Sequence, residues 1–217
     1  MNKRISLIIL VTLIFANSKE GDIDFQYGFL SKPSYDSDSL TMLSDSAVIY
    51  TGDLLRINLG YKNKTHFCIV YRDATGKYQN LYSQDDSEES NQDTLYVPSA
   101  LRWTAIAKPT GIETFYFINS TEVLSDLVAM LVRYDTAPAK GKEILSIRIQ
   151  DEINSYDPDV QDELSSISSE LDRPVTGGVA FRGDDDGEIK DLHLTHECSG
   201  SGGVAFKKIV LIHQPKR

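Results

Sequence analysis

Cysteine, tryptophan and long apolar runs are all scarce in this chain. Of its 217 residues, two are cysteine, one is tryptophan and three are methionine. The longest apolar run covers residues 5–16, which is shorter than the ~20 residues that a transmembrane helix needs. Two cysteines cannot build a disulfide-rich scaffold, so an apolar core has to hold the fold together. We therefore expect a mature chain without membrane insertion.

Basic side chains are also in the minority. Lysine and arginine number 22 against 32 aspartates and glutamates, for a formal net charge of −10. Phosphate backbones and anionic lipid surfaces both attract clustered positive charge, so no nucleic-acid partner is expected. The acidity favours solubility, and a basic protein partner is the alternative explanation.

Familiar catalytic motifs are missing as well. The chain contains neither a Gly-x-Ser-x-Gly nucleophile elbow nor a His-Glu-x-x-His zinc helix. Its internal repeat, residues 177–182 echoed at 202–207, joins two glycines to a short strand-like run and lacks the Lys-Ser/Thr pair of a phosphate loop. These absences favour a protein that is not an enzyme and that uses no cofactor.

The N-terminus carries an export signal. Lys3 and Arg4 precede the apolar run 5–16, and Ala16 and Ser18 place small side chains at the positions that a signal peptidase reads. Residues 1–18 are therefore predicted to be a signal peptide cleaved near Ser18, which gives an exported, periplasmic or extracellular protein. Removing its two cations changes the net charge from −10 to −12.

Hydrophobic patterning divides the mature chain into three parts. Residues 19–46 predict a polar lead-in, residues 47–135 a β-rich domain, and residues 136–217 an extension with a helix and a β-hairpin. Apolar side chains recur at helical spacing over residues 122–134 and 160–171, and residues 143–153 fit either a helix or a strand. The expected fold class is mainly β with α (α+β), with a sandwich-like antiparallel β core and a packed helix. Strand-like segments lie at residues 47–50, 54–59, 66–71, 77–82, 94–97, 101–106 and 113–118.

The two cysteines allow two interpretations. Cys68 lies in an apolar strand-like segment, and Cys198 lies in a Gly/Ser-rich turn. In an oxidising compartment two thiols tend to pair, and a Cys68–Cys198 disulfide would close a loop of ~130 residues. Alternatively, Cys68 is a small buried apolar side chain.

Several short motifs between residues 51 and 134 follow one another in a recognisable order. In chain order they are Gly52-Asp53, Asp73-x-x-Gly76-Lys77, Leu81, Val97-Pro98, Trp103, Pro109-x-Gly111-x-Glu113-x-Phe115-Tyr116 and Leu124-x-x-Leu127. Their order and spacing resemble the bacterial family called domain of unknown function 4384, over about two-fifths of the chain. The resemblance implies a β-rich fold in an exported protein without an assigned catalytic role. It does not extend to the residues after 135.

The tail holds the densest set of side chains that bind metal ions. Zn²⁺ prefers imidazole and thiolate ligands, and Ca²⁺ prefers clustered carboxylates. If residues 188–195 form a strand, His193 and His196 point to opposite faces, which favours a charged turn over one metal site. A metal-binding protein or metal-dependent enzyme is therefore the alternative hypothesis. Its candidate ligands are Asp184, Asp186, His193, His196 and Cys198.

The leading hypothesis is a non-catalytic exported module that binds another envelope protein or a surface ligand. Aromatic side chains are enriched at protein interfaces. The candidate binding residues are four tyrosines beside the acidic stretch 84–93, namely Tyr61, Tyr78, Tyr82 and Tyr96. The competing interpretation is that each tyrosine is a half-buried strand residue. One contiguous exposed patch would support binding, and dispersal of the four would oppose it.

Overall fold

A computed structural model describes residues 23–61, 65–84, 95–160, 194 and 196–216. These residues form a mainly β fold of the α+β class, with two sheets. The strands are β1 (Ile23–Lys32), β2 (Thr41–Met42), β3 (Val48–Tyr50), β4 (Leu54–Tyr61), β5 (His66–Arg72), β6 (Tyr78–Ser83), β7 (Leu95–Val97), β8 (Thr104–Ala105), β9 (Gly111–Ser120), β10 (His196–Gly200) and β11 (Val204–Gln214). The helices are α1 (Ser125–Thr136) and α2 (Ala139–Tyr156).

The first sheet has the strand order β10-β1-β4-β7, with β2 paired to β1 and β8 paired to β4. All of these pairings are antiparallel. On β4 the buried side chains of Leu55, Ile57 and Leu59 alternate with Arg56 and Asn58. Successive side chains of a strand point to opposite faces, so Leu55, Ile57 and Leu59 face the core as the sequence predicts. On the other face Arg56 is half-buried, and Asn58 is buried, at 1% exposure, rather than open to solvent.

The second sheet has the order β3-β11-β9-β5-β6 and is mixed, because β3 runs parallel to β11 while the other pairs are antiparallel. The hairpin predicted between β5 and β6 is confirmed. Its turn is held by Asp73, whose Oδ1 accepts hydrogen bonds from the backbone N–H groups of Thr75 (2.8 Å) and Lys77 (2.9 Å). A short acidic side chain that binds nearby backbone amides is a common way to fix such a turn.

The two sheets share one apolar core. Phe25 and Phe29 of the first sheet and Phe67, Phe115 and Phe117 of the second lie within it. Edge-to-face contacts join the sheets, with ring centroids 5.0 Å apart for Phe25 and Phe67 and 4.7 Å apart for Phe29 and Phe115. Burying each of these rings contributes about 1.5–3 kcal/mol to folding. Aromatic packing therefore fixes how the sheets meet.

A second apolar layer lies on the other face of the second sheet. Leu127 and Leu131 of α1 and Ile149 and Ile153 of α2 pack there against strand side chains such as Ile118. The helix predicted over residues 122–134 is confirmed as α1, and the ambiguous stretch 143–153 belongs to α2. No helix in the described ranges is long and apolar enough to cross a membrane.

Strands from the first and last described segments belong to the sheets. The predicted lead-in 19–46 contains β1, which pairs with β4 and β10 because its apolar side chains suit a central strand. Within the predicted extension, β10 joins the first sheet and β11 the second. The hairpin predicted there involves residues around 177–195, which lie almost wholly outside the described residues. The helix predicted at 160–171 falls almost entirely outside the described residues, and the repeat unit at 177–182 falls wholly outside them.

The predicted Cys68–Cys198 disulfide is wrong, because both thiols are free and buried in different layers. Cys68 lies between the second sheet and the helices, whereas Cys198 lies between the two sheets. The Cys198 Sγ–H donates to the Phe206 carbonyl oxygen at 3.3 Å. Burial raises the pKa of Cys68 to about 12 and that of Cys198 to about 11, so both thiols stay protonated and unreactive near neutral pH.

Candidate functional site

The four candidate tyrosines do not form one exposed patch. Tyr78 is buried on the helix side of the second sheet, where its hydroxyl donates to Gln150 Oε1 at 2.7 Å. Tyr61 and Tyr82 pack against the core between the sheets, and Tyr61 stacks on Phe67. The structure therefore places these three in two different layers.

Tyr96 has a different environment, because it lies at one end of a row of aromatic rings and cations. The Trp103 ring contacts two cations, the Lys32 ammonium group at 5.0 Å and the Arg56 guanidinium group at 4.4 Å from its centroid. Tyr96 continues the row on the Arg56 side at 5.6 Å, and Tyr35 continues it on the Lys32 side at 5.6 Å. We call these five residues the aromatic–cation row. Each cation–π contact contributes roughly 0.5–1 kcal/mol at an exposed site and more when water is excluded.

Arg56 combines one hydrogen bond with a buried donor that has no partner. Its Nη1 donates to the Ala100 carbonyl oxygen at 3.0 Å, while its buried Nε–H finds no partner among the described residues. Burial lowers the pKa of Arg56. Because the Nε atom is enclosed by the protein, its missing hydrogen bond is an energetic cost of the fold.

The candidate metal ligands are only partly within the described chain. Asp184, Asp186 and His193 fall outside it. His196 and Cys198 lie two residues apart on β10 and so share a face, where His196 stacks on Tyr27 with ring centroids 5.0 Å apart. Within the described residues, no three His, Cys, Asp or Glu side chains form a group that could hold a metal ion.

A cavity of about 400 Å³ lies where β4, β7 and β8 of the first sheet face β5, β6 and β9 of the second. This volume is within the range of ordinary small-ligand sites. Its apolar lining includes Phe29, Leu55, Ile57 and Phe115. Its polar and charged lining consists of Arg56, Tyr71, Asp73, Gln79, Asn80, Thr104, Lys108 and Glu113.

A chain of hydrogen bonds runs from the wall of this cavity through the second sheet. The Tyr71 hydroxyl donates to Glu113 Oε2 at 2.6 Å, and Glu113 Oε1 lies 3.0 Å from His213 Nδ1. His213 Nε2 lies 2.9 Å from the Thr51 hydroxyl oxygen. Burial, followed by the hydrogen bond to Glu113, raises the pKa of Tyr71, which therefore stays protonated as the donor. We call these four residues the buried relay.

The buried relay has the hydroxyl–imidazole–carboxylate order of a hydrolase, but its surroundings favour a structural role. The His213 side chain is fully buried, so substrate cannot reach it directly. The backbone N–H groups of Thr51, Gly52 and Asp53 donate to carbonyl oxygens of Gln214, Ile106 and Tyr50. They are therefore not available to stabilise an oxyanion at the Thr51 hydroxyl.

No family model matches the chain, and comparisons with curated proteins and with solved structures found no similar protein. The site is therefore interpreted from its own geometry. Sequence reasoning named Tyr96 but not Tyr35, Lys32, Arg56 and Trp103, which the fold places beside it. No local signal marks the five as a group, since they come from four separate segments, at residues 32–35, 56, 96 and 103.

Proposed function

We propose that this chain is an exported binding module that recognises another envelope protein or surface ligand through the aromatic–cation row. The observation that carries the proposal is the pair of cation–π contacts that Trp103 makes with Lys32 and Arg56. Tryptophan, tyrosine and arginine are the residue types that most often dominate binding energy at protein interfaces. The row presents all three on one surface.

Exposure supports a role for this surface in binding. Tyr35, at one end of the row, is 64% exposed, and Leu101, in the segment that carries Trp103, is 92% exposed. Large side chains held this openly gain free energy when a partner covers them.

The scaffold beneath the row supports the same proposal. We propose a sandwich-like core in which the two sheets hold the row rigidly, with α1 and α2 covering the opposite side. A rigid surface loses little conformational entropy on binding, so its contacts convert efficiently into affinity. Catalysis is not needed to explain any feature of this surface.

Site-specific photo-crosslinking in the native host tests the proposal. A photoreactive amino acid replaces Tyr35 or Leu101 in the tagged full-length protein, and a matched variant carries it at Ile147 on α2, which is 65% exposed. We expect one shared cross-linked species from Tyr35 and Leu101 but not from Ile147. Trp103→Ala in the same chains should abolish it, because the stack that orders Lys32 and Arg56 is then lost.

Two results would contradict the proposal. Formation of the same species from Ile147 would indicate non-specific capture. Survival of the Tyr35 cross-link at full yield in the Trp103→Ala protein would show that the row is not the binding surface. Circular dichroism of the Trp103→Ala protein checks that its sheets remain folded.

A further inference from the structure

Another cavity, of about 960 Å³, lies between the C-terminal end of α2, the start of β1 and the turn between β10 and β11. We call it the α2-end cavity. Its volume is near the upper end of the range of ordinary small-ligand sites. Unlike the buried apolar wall of the 400 Å³ cavity, much of its lining is open to a ligand. The exposed lining residues are Ser155, Pro158, Ser199, Ser201 and Gly202.

One part of this lining carries hydrogen-bonding groups that the fold does not use. Asp24 on β1 and Ser199 on β10 are antiparallel partners, so their side chains lie side by side on one face of the first sheet. Among the described residues, neither side chain has a hydrogen-bond partner, and the Ser201 hydroxyl in the following turn has none either. A carboxylate offers about four acceptor positions, and a hydroxyl both donates and accepts. This part of the cavity therefore suits a ligand with several neighbouring hydroxyl groups.

A second part of the lining is aromatic. Tyr156 of α2 and Phe206 of β11 are half-buried, and both pack against the core on the helix side of the second sheet. The Tyr156 hydroxyl also donates to Glu152 Oε1 at 2.8 Å, which orients its ring. The face of an aromatic ring is partly negative, so it attracts the slightly positive C–H groups of a sugar ring. Because both rings are held in place before a ligand arrives, they lose little entropy on binding.

The charge of the lining limits the ligand further. Asp24 is the one charged side chain among the described residues that line the α2-end cavity. The whole chain is also acidic, with a formal net charge of −10, so an anionic ligand is repelled. A small cation would use the carboxylate alone. A neutral saccharide would use the carboxylate, the serine hydroxyls and the aromatic rings together.

We infer that the α2-end cavity binds a neutral oligosaccharide. Neighbouring hydroxyl groups of one sugar unit donate to the Asp24 carboxylate and form hydrogen bonds with Ser199 and Ser201. The C–H face of the saccharide packs on Tyr156 and Phe206. This site shares no residue with the aromatic–cation row, so the inference goes beyond the proposed function and does not depend on it.

Isothermal titration calorimetry of the purified protein tests the inference with neutral trisaccharides. The probes are maltotriose, cellotriose, xylotriose and triacetylchitotriose, which differ in linkage and substituents. Glycerol, spermidine and trigalacturonic acid are the small, cationic and anionic comparisons. We expect at least one trisaccharide to bind with a Kd of about 1 mM or lower, and at least about tenfold more tightly than each comparison compound.

Substitutions in both parts of the lining assign the bound trisaccharide to the α2-end cavity. Asp24→Ala should weaken its binding by about tenfold, because a charged acceptor is lost. Phe206→Leu should also weaken it, since a leucine side chain has no ring face. Ser201→Ala, in an exposed turn, should weaken it by a few-fold and keeps the test valid if Phe206→Leu impairs folding. The matched control is Asp135→Ala, which removes an exposed carboxylate on α1 and should leave the affinity unchanged.

Three results would overturn the inference. All four trisaccharides would fail to bind, or spermidine would bind more tightly than each of them, which would assign the cavity to a cation. Unchanged affinity in the Asp24→Ala protein would place the saccharide elsewhere.

Trp103→Ala separates this inference from the proposed function, because Trp103 belongs to the aromatic–cation row and does not line the α2-end cavity. We expect this substitution to leave the saccharide affinity unchanged. Loss of saccharide binding in the folded Trp103→Ala protein would place the saccharide on the row and contradict the inference. The cross-linking experiment uses Tyr35 and Leu101, which do not line the cavity either, so the two proposals can fail independently.

Discussion

Glu113 shows how one polar side chain joins strands that are far apart in sequence. It lies on β9, accepts from Tyr71 on β5, and pairs with His213 on β11. A buried carboxylate is costly unless hydrogen bonds compensate for the water that it loses. At residue scale, then, the buried relay both satisfies Glu113 and connects three strands at the cavity wall.

Tyr71→Phe should lower the free energy of unfolding by about 1–3 kcal/mol, because Glu113 Oε2 loses its donor in a site with little access to water. Urea denaturation followed by circular dichroism measures the change. Tyr35→Phe is the matched control, since the Tyr35 hydroxyl is exposed and its hydrogen bond to the Trp103 carbonyl is long, at 3.4 Å. We expect that control to change stability by less than about 0.5 kcal/mol. Equal effects of both substitutions would rule out a special role for the buried hydroxyl.

At the scale of elements, the turn between β10 and β11 moves the chain from the first sheet to the second. Gly202 and Gly203 both have positive φ angles, +69° and +84°. Gly203 also approaches Thr121, whose backbone N–H donates to the Gly203 carbonyl oxygen at 2.9 Å. A Cβ atom on Gly203 would lie 2.5 Å from Thr121 Oγ1, whereas one on Gly202 would meet nothing within 4 Å. The turn that carries the chain from the first sheet to the second therefore depends on a close backbone contact as well as on left-handed glycines.

Gly203→Ala should destabilise the protein more than Gly202→Ala. Both substitutions incur about 1–2 kcal/mol for a left-handed residue, and only Gly203→Ala adds a collision with Thr121. Thermal denaturation of the two variants compares them under identical conditions. If the two lower Tm equally, the contact with Thr121 does not constrain the turn.

At the scale of the whole molecule, the last strand completes the second sheet. β11 lies between β3 and β9, and its Ala205, Ile209 and Leu211 side chains are at most 1% exposed in the core between the sheets. β10 lies beside β1 in the first sheet. Residues 196–214 are thus part of both sheets.

A chain that ends at residue 195 should fail to fold cooperatively, because β3 and β9 lose the strand between them. Urea denaturation followed by circular dichroism should show no sigmoidal transition. The control is a chain that ends at residue 214, which keeps all of β11 and should unfold like the full-length protein. A cooperative transition at an unchanged midpoint in the shorter chain would show that residues 196–217 are not required for folding.

Much of the secondary structure is predictable from local pattern. Alternating apolar side chains predict β4, turn chemistry at Asp73 predicts the β5–β6 hairpin, and an apolar stripe predicts α1. Secondary structure is harder to predict in the stretch 19–46, because its many Ser and Asp residues make the apolar alternation of β1 less evident. The segment 101–106 forms only the two-residue strand β8, since the chain there turns to place Trp103 against Arg56.

The mainly β character, the acidic charge and the faces of individual strands all follow from composition or from neighbours a few residues apart. Which of these faces meet depends instead on the tertiary structure. It separated the two cysteines into different layers, dispersed three of the four candidate tyrosines and assembled the aromatic–cation row. Thr51 and His213 are 162 residues apart, and Tyr35 and Trp103 are 68 apart. The two-residue repeat of a strand fixes which side of the sheet a side chain faces, whereas the residue that it contacts depends on how the whole chain packs.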